Sequence, residues 1–229
     1  MTATNTNKEF TMTSLKTMLS ALVLISSSTA FAESVTHEVA PIRNALEIAV
    51  GGAYMQNAGD IGDGMNAHGL SRAGGGAEVQ IGYRLTPNLT VGGYGTLSSF
   101  TTGRDVAPTT DLVIGSNIGA KADWHFRPST SVDPWISVGV GWRGLWLGND
   151  AGTETKLQGM DLARVQLGVD YRFTDSFALT PYLGVAASTF FQKADMTTDG
   201  YEGISGKGVN WSFTGGLLAR FDVLGTRGN

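Results

Sequence analysis

Eight stretches of this chain alternate apolar and polar residues with a period of two, and a helical period is almost nowhere to be found. They cover about 45–56, 75–85, 88–99, 110–126, 134–147, 159–173, 177–191 and 209–223. The links between them alternate in length. Long links at 57–74, 100–109, 148–158 and 192–208 are separated by short ones at Thr86-Pro87, Arg127–Asp133 and Thr174-Asp175-Ser176. That rhythm predicts an antiparallel up-and-down meander whose two ends differ. An even number of such strands can close into a ring and leave no unpaired edge. The expected fold is all-β, an eight-stranded antiparallel up-and-down barrel over 45–224.

Each stretch separates into two faces. In the fourth, Leu112, Ile114, Ile118, Ala120, Ala122, Trp124 and Phe126 oppose Gly115, Asn117, Gly119, Lys121, Asp123 and His125. In the sixth, Ala163, Val165, Leu167, Val169, Tyr171 and Phe173 oppose Arg164, Gln166, Gly168, Asp170 and Arg172. The second opposes Glu78, Gln80, Gly82 and Arg84 to its apolar set, and the eighth opposes Ser212, Thr214, Arg220 and Asp222 to Trp211, Phe213, Leu217 and Phe221. The polar faces are rich in glycine and small residues, as a narrow eight-stranded interior requires. Turned outward to lipid, Lys121, Arg143 and Arg164 would each cost roughly 2–4 kcal/mol near a bilayer midplane. Three such costs rival the whole stability of a domain. The apolar face is therefore expected to meet lipid, which makes the barrel a transmembrane one.

The ends of the chain are set apart. Lys8 and Lys16, the apolar run Met18–Ile25 and Ala30-Phe31-Ala32 are laid out as a secretory leader over 1–32, with Met1 or Met12 as its start. A periplasmic segment at 33–44 and a C-terminal tail at 225–229 are expected to flank the barrel. Without Lys8, Lys16 and Glu9, 14 basic and 19 acidic residues remain, a net charge of −5 that argues against nucleic acid. With no cysteine, neither disulfides nor thiolate metal sites can form.

Four descending stretches end on an aromatic beside a polar or basic residue: "IGYRLTPN" (81–88), "ADWHFRPS" (122–129), "VDYRFTDS" (169–176) and "LARFDVLG" (218–225). Tyr83, Trp124, Phe126, Tyr171, Phe173 and Phe221 are expected to form a periplasmic aromatic girdle. "DPWISVGVGW" (133–142) repeats as "TPYLGVAAS" (180–188), a strand start in which proline gives up a donor where the ladder has barely begun. Trp135 and Tyr182 could fill the interior there, or a bulge could turn either toward the girdle. At "IGYRLTPNLTVGGYG" and "LGVDYRFTDSFALTPYLGV" the chain resembles the small OmpA/OmpX/OmpW-type outer-membrane β-barrels. The resemblance implies integral residence in the cell outer membrane, with the four long links outside the cell. It also implies contact with lipid, lipopolysaccharide and the outer-membrane assembly machinery, as a monomer. In that superfamily the last strand commonly ends the chain on an aromatic. Here Phe221 is followed by Asp222-Val223-Leu224 and a short tail, which implies an internal or atypical assembly signal.

The candidate site is the set of interior charges: Glu47, Glu78, Asp123 and Asp170 against Lys121, Arg143, Arg164 and Arg220. Mixed signs in a narrow lumen are expected to pair, because an unpaired buried charge is expensive. The network then plugs the barrel; the alternative is an OmpW-like polar path for small or apolar solutes. Glu47 and Arg220 are expected to meet across the closing seam. A lipid A-modifying enzyme is the remaining alternative, but a triad of His68, Ser71 and Asp60 would need an unusual loop geometry. No catalytic residue, cofactor or metal is assigned. Asp60, Asp63, Asp195, Asp199 and Glu202 are read as solvated loop carboxylates, since "DIGDG" (60–64) lacks calcium-loop spacing. The long links are left to present whatever extracellular ligand there is.

Overall fold

The computed structural model describes residues 37–62, 64–104, 112–149, 152–195 and 200–227. The leader expected at 1–32 and the loop residues Asp63 and Asp199 lie outside them. The described elements are β1 (Ile42–Arg43), β2 (Ala45–Gly62), β3 (Met65–Asn66), a helical turn α1 (Ala67–Leu70), β4 (Ser71–Arg84), β5 (Leu89–Thr102), β6 (Leu112–His125), β7 (Val132–Asn149), β8 (Gly152–Thr174), β9 (Phe177–Asp195), β10 (Tyr201–Gly203), β11 (Asn210–Val223) and β12 (Thr226–Arg227). Strands β2, β4, β5, β6, β7, β8, β9 and β11 each pair antiparallel with the next, and β11 returns to β2 to close the ring. A membrane-crossing strand needs about 9–11 tilted residues. The shortest ring strands have 14 and β8 has 23, so several project beyond any bilayer.

Those projections correct the expected links. The segments 57–62 and 71–74 continue β2 and β4, so the link expected over 57–74 shrinks to β3 and α1. The loop expected over 148–158 is almost entirely hairpin, with Asn149 paired to Gly152. Near the rim both faces of a hairpin can be wetted, so hydrophobic alternation fades while backbone pairing continues. The sequence signal stops before the ladder does.

The parity of each strand has a steric reason as well as a polar one. Among the described residues five aromatic rings point inward: Tyr94, Phe100, Trp135, Tyr182 and Phe190 are all buried. Each lies against backbone that carries no side chain. A Cβ on Gly119 would sit 2.7 Å from the Tyr94 ring, one on Gly168 2.5 Å from Trp135 and one on Gly216 2.8 Å from Tyr182. Phe100 covers Gly74 and Gly115 in the same way. Many of the interior glycines are seats for rings in a lumen too narrow for two bulky walls. Trp135 and Tyr182 thus take the interior option of the two open to them.

One strand departs from simple alternation. The register of β8 against β9 slips between Asp161 and Ala163, so Leu162 and Ala163 are both exposed. A bulge reverses the inward set of the strand: below it Arg164, Gln166, Asp170 and Arg172 are buried, above it Asp161, Gly159 and Leu157. The outer surface is an apolar belt in which Ile118, Leu97 and Leu167 are each more than half exposed. Such a continuous patch has no place on a soluble monomer.

Candidate functional site

The lumen is filled in layers. At the short-turn end, or base, Glu47 accepts from Arg84 Nη2 at 2.6 Å and meets Arg220 Nη1 at 3.0 Å across the β2–β11 seam. Asp170 accepts from Trp135 Nε1 at 2.9 Å and Thr180 Oγ1 at 2.8 Å, and Arg220 Nη1 lies 3.5 Å from its other oxygen. The Arg220 guanidinium also stacks over the Trp135 ring, 4.9 Å from its centroid. Arg172 Nη1 donates to Asp222 Oδ2 at 2.6 Å.

Above this, Glu78 is the hub. Its carboxylate accepts from Gln80 Nε2 (2.6 Å), Arg164 Nη2 (2.8 Å), Tyr182 Oη (2.7 Å) and Gln166 Nε2 (3.3 Å). Beside it Lys121 Nζ donates to Asp123 at 2.6 Å and also to Gln80 Oε1. Arg164 lies flat on the Tyr94 ring, 4.1 Å from its centroid. The third layer centres on Asp161, which accepts from Asn117 Nδ2 and Ser188 Oγ, both at 2.6 Å, with Arg143 Nη1 at 3.6 Å. Arg143 in turn donates to Ser188 (2.7 Å), to Asn57 (3.1 Å) and to Ser212.

Three of these contacts join opposite walls. In a ring of eight, β4 and β8, β2 and β7, and β6 and β11 are four strands apart. Arg164 to Glu78, Arg143 to Asn57 and Arg220 to His125 bridge those pairs directly. Each of these contacts crosses the lumen from wall to wall. A cavity of about 20 Å³ is lined by Arg143, Asp161, Arg164 and Gln166, and another of about 10 Å³ lies near Asn57, Phe100 and Leu145. Each has room for about one water.

The rim is filled differently. Met55, Phe100, Val113, Leu145, Leu147, Leu157 and Phe190 from the strands form an apolar cluster. Ile61 at the end of β2, Ala67 and Leu70 of α1, and Ile204 after β10 close it from above. Asn66 caps α1 by accepting from the His68 amide. Ser71 is buried beneath, its hydroxyl donating to the Ala67 carbonyl and accepting from Asn57 Nδ2.

All eight charges singled out in the sequence point into the lumen and are nearly fully buried. Besides the seam contact, three direct pairs form among them: Glu78 with Arg164, Lys121 with Asp123, and Asp170 with Arg220. Arg84, His125, Asp133, Arg172 and Asp222 join the same base layer, and Asp161 the third. Parity alone placed Arg84, His125, Arg172 and Asp222 inside. Asp133 precedes the expected strand start, and Asp161 was hidden by the bulge. Around the base Tyr83, Trp124, Phe126, Phe173 and Phe221 are exposed and Tyr171 half-buried, with Phe177 tilted against both Phe173 and Phe221.

His125, Asp133 and Asp170 bring ligand-type atoms within 4.8 Å of one another. Their hydrogen bonding argues against a metal. His125 Nε2 faces Arg84 Nη2 and Arg220 Nη1 at 3.4 Å, both donors only. Nε2 must therefore be the acceptor, which leaves the proton on Nδ1, 2.8 Å from Asp133 Oδ2. A cation bound at Nδ1 would drive that proton to Nε2, against two guanidiniums.

No protein-family model matches this chain, and no curated protein matches it. Solved structures do. Neisserial surface protein A (NspA) is 16% identical over 77% of this chain and 96% of its own, with a TM-score of 0.52. The outer membrane protein AlkL, solved in lipid bilayers, is 14% identical over 82% of this chain and 93% of its own, with a TM-score of 0.50. At such identities the likeness is one of fold: this chain has the fold of the eight-stranded outer-membrane β-barrels.

Proposed function

We propose that this protein is an integral outer-membrane barrel with a structural, envelope-integrity role, its lumen closed by the charged network and its long-link end presented at the cell surface. The observation that carries this reading is the set of wall-to-wall contacts, Arg164 to Glu78, Arg143 to Asn57 and Arg220 to His125. The apolar belt supports residence in lipid, and the exposed aromatics at the base support a periplasmic girdle. Lipids and lipopolysaccharide are then its immediate neighbours, and a monomer suffices because the ring has no free edge. The reading assigns no catalysis: Ser71 is buried and its hydroxyl already serves Ala67 and Asn57. Planar-bilayer recording of the purified barrel tests closure. A silent bilayer is expected, and reproducible single-channel steps would overturn it.

A second reading is a narrow pore for small or apolar solutes. The apolar rim cluster favours it, because its lining would wet poorly and accept hydrocarbon. Uptake of an apolar probe into liposomes, with ion conductance still absent, would select it. An altered lipid A mass in an overexpressing strain would instead point to an enzyme.

A further inference from the structure

The base layer is drier than its position allows. Arg84 and His125 are the last residues of β4 and β6, and Asp133 is the second of β7, yet all three are essentially inaccessible. Side chains at the last rung of an open barrel should be wet. Something covers the mouth.

The segment preceding β2 runs across it. Ile42–Arg43 pairs with Thr226–Arg227, so the two chain ends clasp below the seam between β2 and β11. Farther along, the Val39 amide donates to the Ser129 carbonyl at 2.9 Å, and Glu38 bridges to Thr130. That turn joins β6 to β7, half-way round the ring from the seam. From Ala45 to Glu38 an extended chain reaches ~23 Å. Asn44 and Leu224, one just before β2 and one just after β11, both adopt left-handed backbone (φ 53° and 59°). An L-residue with a side chain takes that conformation at a cost, and here it marks where each chain end leaves its strand and turns back under the barrel. Val39 and Ile42 are buried, and Ile42 packs on Gly225 so tightly that a Cβ there would lie 2.6 Å away.

We infer that residues 38–43 form a strap that shuts the base of the barrel and, clasped by residues 226–227, keeps water from the buried ion-pair layer. Its two anchors come from the middle and the far end of the chain, at residues 129–130 and 226–227. The strap is a latch that can open alone. Among the described residues a two-residue ladder, one bridge, the Thr226 hydroxyl on the Arg43 carbonyl and two apolar side chains hold it, against ring strands paired over twelve or more positions. Local opening of so lightly held a segment is expected without unfolding of the barrel. The inference does not depend on where the barrel resides.

The absence of cysteine makes the test clean. Glu38→Cys with Thr130→Cys places two thiols on a directly opposed, non-hydrogen-bonded antiparallel pair, a geometry that accepts a disulfide. The cross-link is expected in the folded barrel and not after heating in detergent; its failure to form in the folded barrel would overturn the strap. The seal is read separately with Ala45→Cys, a fully buried position beside Gly225. A water-soluble maleimide should label it slowly, slower still with the strap cross-linked. Adding Ile42→Asp should speed labelling about tenfold or more, as local opening becomes frequent. If Ile42→Asp prevents folding, the locked-against-free comparison in the original strap decides. Equal rates in both states would sink the seal.

Discussion

The two ends of the lumen solve the same packing problem with opposite chemistry. The base and middle are filled by charges held in directional contacts, the rim by apolar side chains, four of them brought in by loops and strand ends. The difference follows from what positions each group. Glu47, Glu78, Arg164 and Arg220 sit on strands whose register is locked on both sides, so a hydrogen bond across the barrel can be aimed and kept. Ile61, Leu70 and Ile204 arrive from segments with fewer constraints, where non-directional packing tolerates small errors. Directional contacts are held between ring strands, and the residues that close the rim from α1, from the end of β2 and from just after β10 are apolar. The polar filling should therefore be brittle to substitution and the apolar one forgiving.

The largest effect is expected at the hub. Glu78→Ala strands Arg164 in the middle of the lumen and should cost about 3–5 kcal/mol, read as a lowered denaturant midpoint and a lower temperature for the heat-dependent gel shift. Adding Arg164→Met should return most of that loss; no recovery would mean that the pair is not the coupled unit described. In the rim, Leu157→Ala empties space in the apolar cluster at about 3 kcal/mol. Leu157→Met there should cost less than about 1.5 kcal/mol. If Leu157→Met proved as damaging as the loss of Glu78, the contrast between the two ends would collapse.

Smaller changes sharpen it. Gly119→Ala drives a methyl into the Val140 carbonyl and the Tyr94 ring, so overpacking should cost roughly 1–3 kcal/mol. Tyr182→Phe removes one of four donors to Glu78 and should cost about 1 kcal/mol. Gly95 faces outward with nothing nearer than 3.9 Å, and Gly95→Ala should stay within about 0.5 kcal/mol. A denaturant titration of the three variants in one detergent would order them. Equal losses at Gly119 and Gly95 would remove the idea that interior glycines seat rings.

Much of this architecture is legible in the chain because the code for it is local. Whether Lys121 or Ala122 faces inward is decided by one step of a two-residue period, and neighbouring residues report it. The same logic failed at Asp161, where one extra residue in β8 reversed the parity. It failed again at the rim, where the hairpin from Asn149 to Gly152 continues without an apolar face to announce it. No pattern within 38–43 could have shown that these residues cross the mouth, since their partners lie near residues 130 and 226.

What the sequence determined by itself, then, was the number of ring strands, their two faces and the charges that would have to share the interior. Beyond the Glu47–Arg220 contact at the seam, only the closed ring decided which charge meets which. Pairing across a diameter depends on the stagger of every strand against the next, summed around the barrel, and on a single bulge in β8. Face is a property of adjacent residues, but partnership across the lumen is a property of closure.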